Sequence, residues 1–161
     1  MHRFTGLPIE TCTGAGAGMH GEQLTYKQQV LKEISEKYNP QSPLETLATF
    51  GGLEIAMMVG ALLEAKAQGM VLLIDGFIAT AALLTACQFN ASTKDNALFC
   101  HQSEEKGHRL LLEHLNASPI LQLKMRLGEG TGAAVALPVI QSALAFLNEM
   151  ASFEEAGVSK E

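Results

Sequence analysis

The stretch RLGEGTGAAVALPVIQSAL, from Arg126 to Leu144, sets a single carboxylate, Glu129, between two glycines and then runs almost wholly apolar. Two kinds of chemistry fit such a residue. Gly128, Gly130 and Gly132 can shape the turn into a helix, with Glu129 near the positive end of the helix dipole. Alternatively, the tight loop presents Glu129 as a general base, beside enough apolar surface to make it more basic. These residues alone leave both open. A second candidate lies near the start of the chain, where Gly16-Ala17-Gly18-Met19-His20-Gly21 matches G-x-G-x-x-G by count. The helix expected next begins only after that pattern, and no acidic ribose partner follows at the required offset, which argues against a dinucleotide site. GEGTGAAV lacks the Lys-Ser/Thr pair of a Walker A loop. The glycines at 14, 16 and 18 remain compatible with a loop whose N–H groups reach a phosphate, with Lys27 as counter-charge one turn into the following helix.

Each other polar candidate also has a plain structural role. Lys27 fits a solvated helix position, and Asp75 fits a cap for the helix that starts at Gly76. Ser103 fits an N-cap, with Glu104 and Glu105 in the first turn. His101 fits a hydrogen-bonded loop residue, whereas His108 and His114 fit a helix surface better than a metal site. Met57 and Met58 read as core filling.

These residues need elements to position them. IETCTGAGAG is a β-compatible run ending in alternating glycines, and EQLTYKQQVLKEISEK follows with Leu24, Val30, Leu31 and Ile34 at helical spacing: a strand, a loop and an amphipathic helix. NPQSP breaks that helix, and Ser42-Pro43 fits an N-cap with proline at the first helical position. LETLATF is helical, pauses at Gly51-Gly52, and resumes as LEIAMMVGALLEAKAQ until Gly69. MVLLID has the continuous apolar pattern of a parallel strand buried on both faces, GFIATAALLTACQF that of a buried helix, and NALFC that of a short strand. SEEKGHRLLLEHL reads as an amphipathic helix from Ser103, and Thr131 to Ala151 as a helical region that Pro138 should kink or divide. Strands alternating with long helices predict an α/β fold with a mostly parallel sheet covered by helices. About three strands are visible where such sheets usually have about five or six. Ligands in these folds sit beyond the carboxyl ends of the strands, where TGAGAG, Asp75-Gly76 and CHQS all fall.

The 161 residues suit a single domain spanning 1–161. Seventeen acidic against eleven basic side chains give a formal charge of −6 with no basic cluster, which argues against nucleic acid and anionic membrane as partners. Cys12, Cys87 and Cys100 are widely spaced and not grouped with histidines, as expected of buried thiols in a reducing compartment. No basic-then-apolar leader opens the chain. Glu54, Glu64, Asp75 or a glycine interrupts the most apolar stretches before a membrane-spanning length, so a soluble, cytoplasmic protein is expected.

ETLATFGGLEIAMMVGALLEA, VLLIDGFIATAALLTACQ, HQSEEKGHRLLLEHL and MRLGEGTGAAVALPVIQSALAFLNEM, in this order, closely resemble the C-terminal half of the nicotinate-nucleotide–dimethylbenzimidazole phosphoribosyltransferase family. The resemblance runs from about Gly6 to about Phe153. It implies a partial Rossmann-like parallel sheet flanked by helices, with the family's N-terminal strands missing, and a homodimer or a partner that supplies the N-terminal half. The implied reaction transfers phosphoribose from nicotinate mononucleotide to 5,6-dimethylbenzimidazole, releasing nicotinate and forming α-ribazole 5′-phosphate for the cobalamin lower ligand, with no cofactor or metal. Glu129 matches the family's catalytic base in RLGEG. Burial beside Leu127 and the ring is expected to outweigh the opposing effect of a helix N-terminus. By the same matching, Gly14, Gly16, Gly18 and Lys27 belong to the nucleotide-phosphate site, and Ser103 to its phosphate side. Asp75 and Gly76 belong to the active-site floor, where Asp75 orients ribose or a neighbouring loop. Gly128 and Gly130 flank the base. Because the family's N-terminal half is absent, the chain is expected to be inactive alone. The alternative is a nonenzymatic remnant that binds a nucleotide phosphate or another protein.

Overall fold

The computed structural model describes residues 1–16, 18–125 and 128–157. The elements are α1 (His2–Thr5), α2 (Ile9–Cys12), α3 (Glu22–Lys37), α4 (Pro43–Phe50), α5 (Leu53–Ala67), β1 (Leu72–Ile74), α6 (Phe77–Phe89), a 3₁₀ turn (Ala91–Asn96), β2 (Ala97–Phe99), α7 (Lys106–His114) and α8 (Thr131–Glu149). β1 and β2 pair in parallel, with Leu72, Leu73 and Ile74 opposite Ala97, Leu98 and Phe99. A single parallel bridge, His101 to Leu121, continues the sheet beyond β2. It is tied by Ile120 N–H donating to Phe99 O at 2.8 Å and Leu121 N–H donating to Cys100 O at 3.0 Å.

Much of this follows from local chemistry. α3 has the boundaries its hydrophobic spacing predicts, and Arg3 donates to the Ser35 and Tyr38 carbonyls near its C-terminal end. Ser42 Oγ accepts from Glu45 N–H at 3.2 Å while Glu45 Oε2 accepts from Gln41 N–H at 2.7 Å, so the start of α4 is capped reciprocally. Gly69, at φ +70°, ends the turn after α5. α6 is apolar all round because it is covered on two sides. Leu83 and Leu84 join Leu72, Ile74, Phe99, Leu111, Leu112 and Leu115 in the main core, and Ala82 and Ala86 meet Val59 of α5. Full burial of Leu83 makes its truncation to alanine cost about 2–5 kcal/mol.

Several sequence expectations are corrected. The strand expected at IETC is the single helical turn α2. There, Thr11 and Cys12 N–H and Thr11 Oγ1 donate to Pro8 O, and Thr13 Oγ1 donates to Ile9 O, at 2.7–3.1 Å. Threonine hydroxyls satisfy the turn locally, in competition with a strand ladder. β1 is not buried on both faces: Leu72 and Ile74 are buried, but Leu73 is half-buried. α7 begins at Lys106 after Glu105, not at Ser103, whose polar atoms turn inward to His108. His108 is fully buried, not on the helix surface. Met57 is exposed, although Met58 packs on the Val59 cluster. Of the cysteines only Cys100 is buried; Cys12 and Cys87 are half-buried. Burial pushes all three thiols up, Cys100 to about 11.

α8 is not divided at Pro138, and it ends at Glu149. Proline already has a helical φ, and Ala134, whose carbonyl loses its amide partner, is exposed to solvent. This helix also overturns the expected absence of long apolar stretches. At 19 residues it is long and apolar enough to cross a membrane by length and composition alone. Only Gly132 and Ala136 are buried, leaving Leu144, Phe146, Leu147 and Met150 open.

Candidate functional site

Because β1 and β2 are parallel, their carboxyl ends lie at one edge of the sheet. Asp75 and Gly76 directly follow β1, and His101 and Ser103 follow β2. The loop before α3 and the loop before α8 reach the same edge. Together they enclose a cavity of about 580 Å³, within the usual size of a small-molecule site. Gly14, Gly16, Lys27, Asp75, Gly76, Ser103, Gly128 and Glu129 line it. Gly18 and Gly130, also expected at the site, do not. Ala17 and Leu127 lie outside the described residues.

Lys27 Nζ donates to Gly14 O at 3.2 Å, so it folds over the glycine loop. Gly16, at φ +56°, takes a backbone shape that favours glycine, and a Cβ there would stand 3.8 Å from Lys27 Nζ. The loop and the lysine form one unit with amide and ammonium donors. Glu105 packs directly against Gly14, leaving no room for a Cβ. Among the described lining residues Lys27 is the sole cation beside four carboxylates, Asp75, Glu104, Glu105 and Glu129. Among the described residues, the cation available to an anion is therefore on the glycine-loop side.

Glu129 is exposed at the rim, so the apolar burial expected around it is not provided by the described residues. Its backbone is unusual: φ is +63°, a left-handed conformation that few residues other than glycine adopt. Gly130 follows at φ +83°, and α8 begins at once. What holds this turn is Asp75. Its Oδ1 accepts from Gly132 N–H at 2.6 Å and Ala133 N–H at 3.2 Å, and its Oδ2 accepts from Gly130 N–H at 3.2 Å. The carboxylate thus caps α8 from across the fold rather than the adjacent α6, and it anchors the loop that carries Glu129. Glu129 thus precedes the start of α8 and lines the cavity, without the apolar surroundings expected of a base among the described residues.

Two buried histidines, His101 in the cavity lining and His108 behind Ser103, were not assigned to the site by sequence reasoning. His101 Nε2 stands 3.7 Å from Asp75 Oδ1, and neither ring nitrogen has a hydrogen-bond partner among the described residues. A Cβ on Gly132 would stand 1.9 Å from His101 Cδ2 and 2.6 Å from Asp75 Oδ1, so only glycine permits this approach. His108 Nδ1 accepts from Ser103 N–H at 3.0 Å, and its Nε2 lies 3.0 Å from Thr80 Oγ1. Burial, aided by the neighbouring His101, lowers His108 to about 4, so it is neutral near pH 7. The detectable signals were CHQS at the end of β2, which flags His101, and the spacing of His108 with Leu111, Leu112 and Leu115 at i, i+3, i+4 and i+7, which sets it on the apolar stripe of α7 while His114 falls outside it. Among the described residues no three His, Cys, Asp or Glu side chains are grouped to hold a metal ion.

Known proteins are similar to this chain in sequence and fold. A family model described as phosphoribosyltransferase matches residues 1–158. The nicotinate-nucleotide–dimethylbenzimidazole phosphoribosyltransferase of Cupriavidus taiwanensis is 53% identical over 160 residues, covering 99% of this chain and 46% of the relative. The enzyme of the same name from Janthinobacterium sp. is 47% identical, covering 100% of this chain and 48% of the relative. The crystal structure of CobT from Thermus thermophilus superposes with a TM-score of 0.92 at 39% identity, covering 99% of this chain and 48% of that one. The chain spans about half the length of the curated relatives it matches. With a family model matched almost end to end and the fold shared with a solved relative, this chain belongs to the nicotinate-nucleotide–dimethylbenzimidazole phosphoribosyltransferase family.

Proposed function

We propose that this chain is the C-terminal half of a phosphoribosyltransferase acting on nicotinate mononucleotide and 5,6-dimethylbenzimidazole in cobalamin lower-ligand synthesis, and that it is active only with a complementary N-terminal half. The observation that carries this reading is the convergence of Glu129, Asp75, Ser103, Lys27 and the Gly14–Gly16 loop on one cavity from four separate segments. Lys27 and the loop amides take the 5′-phosphate, with Ser103 on the phosphate side. One benzimidazole nitrogen attacks C1′ of the ribose, the bond from C1′ to the pyridinium nitrogen breaks, and its electron pair leaves with nicotinate. The other benzimidazole nitrogen loses its proton to Glu129, which strengthens the nucleophile. Asp75 positions Glu129 through the α8 cap, which develops the expected role of orienting a neighbouring loop. No cofactor is needed, since departure of a pyridinium already relieves positive charge.

Among the described residues Glu129 is open to solvent, and the benzimidazole ring and the partner half supply further apolar surroundings that suit a base. The exposed apolar face of α8 is suited to be covered in that assembly, either by the partner half or in a homodimer. The unpaired Cys12, Cys87 and Cys100 accord with a cytoplasmic setting. The test is product formation, α-ribazole 5′-phosphate by chromatography, from the purified chain with and without a separately produced N-terminal half of a relative. Product only with both halves is expected. No product from two soluble, folded halves would instead support a nonenzymatic module that binds phosphate or protein.

A further inference from the structure

The imidazole of His108 is completely buried, yet it is polar, and the proposed chemistry makes no use of it. Burying such a ring is unfavourable unless its hydrogen bonds are met, and here they are met by cavity-lining segments. A backbone amide can only donate, so Ser103 N–H fixes Nδ1 as the acceptor. In the neutral ring the proton then resides on Nε2, which donates to Thr80 Oγ1; Thr80 in turn donates to Gly76 O at 2.8 Å. One side chain therefore ties the loop after β2 to the start of α6, and both ends, Ser103 and Gly76, line the cavity.

Ser103 Oγ also lies 3.0 Å from Nδ1, so its hydroxyl shares an acceptor that the Ser103 amide already satisfies. If the hydroxyl turns away to an incoming anion, the amide still occupies the Nδ1 lone pair and no buried acceptor is stranded. A Ser103 bonded only to solvent would be free to point anywhere, whereas this one is held beside the cavity and released at little cost. We propose that His108 is a positioning residue that holds Ser103 ready to donate its hydroxyl to the phosphate of the nucleotide donor. This rests on the reading of the cavity as a nucleotide-phosphate site.

Calorimetry on the chain combined with its complementary half, comparing nicotinate mononucleotide with nicotinate riboside, isolates the phosphate contribution as a ratio of the two Kd values. His108→Leu removes both hydrogen-bonding arms and should shrink that ratio about tenfold, leaving riboside affinity unchanged. His108→Asn, whose carbonyl can still accept from Ser103 N–H, should restore most of it. Ser103→Ala should shrink the ratio similarly, and combining it with His108→Leu should add little. A purely structural role for His108 would weaken both ligands together, or add fully to Ser103→Ala; either result overturns the proposal. Should His108→Leu fail to fold, the Asn variant carries the test: a ratio reduced as far as in Ser103→Ala overturns the proposal. A wild-type assembly with no preference for the phosphorylated ligand would overturn the nucleotide-phosphate reading itself, and this inference with it.

Discussion

Replacing Asp75 with asparagine probes the link between the sheet and the loop that carries Glu129. The native carboxylate accepts three backbone N–H bonds at the start of α8, from Gly130, Gly132 and Ala133. Asparagine can turn its carbonyl toward Gly132 and Ala133, but its amide then faces the Gly130 N–H, a donor against a donor. The negative charge at the positive end of a 19-residue helix is lost as well. A charge-assisted hydrogen bond contributes about 1.5–3 kcal/mol and a partly buried charge at a helix end up to about 2 kcal/mol. These overlap, so the α8 start should be loosened by about 2 kcal/mol. By mass action that raises the open population about 30-fold. Amide hydrogen exchange reads it directly: Gly130, Gly132 and Ala133 should exchange about 30-fold faster, while Leu83 and Leu111 in the core keep their protection. Unchanged exchange at those three amides would refute the claim that Asp75 holds the turn, whatever happened to activity.

Gly132→Ala should act on the same junction from the other side. Its Cβ has no room between His101 and Asp75, so overpacking of about 1–3 kcal/mol should lower Tm by several degrees in calorimetry. An unchanged Tm would mean the junction is loosely packed. The pH dependence of stability should carry a signature of His108. Its folded value, about 4, lies below the ordinary 6.5, so between these values the unfolded chain binds a proton that the folded chain refuses. Stability from this group is unaffected above about pH 6.5, falls as pH drops toward 4, and then levels, a loss of about 3 kcal/mol across the window. Urea midpoints of wild type and His108→Leu compared across that range should show the steeper decline in wild type; parallel curves would contradict the assignment.

Elements with strong local signals were legible in the sequence. α3 is bounded by its own apolar spacing, α4 by Ser42 and Pro43, and β1 and β2 by short apolar runs next to a helix. α2 was not legible, because one turn closed by threonine hydroxyls has the same residue types as a short strand. The candidate site was legible as a set of residues but not as a set of contacts. Asp75 suggested a cap for the helix beside it, yet it caps one that begins far along the chain, and only the folded sheet brings them together. Ser103 likewise has the composition of an N-cap; its partner is a buried histidine whose environment depends on α6 and Thr80. The exposure of α8 was illegible because composition reports that a helix is apolar, not what covers it.

The central claim is that the carboxylate on the left-handed turn before α8 serves as the base. It is tested most directly by Glu129→Gln in the chain combined with its complementary half, assayed with nicotinate mononucleotide and 5,6-dimethylbenzimidazole. The variant should fold as wild type, because the Glu129 side chain is exposed and the turn is held by Asp75. Its kcat should fall by about 10²–10⁴, the usual contribution of a positioned general base, with KM for nicotinate mononucleotide little changed. Turnover close to wild type would contradict the account and leave Glu129 as only the residue before a helix.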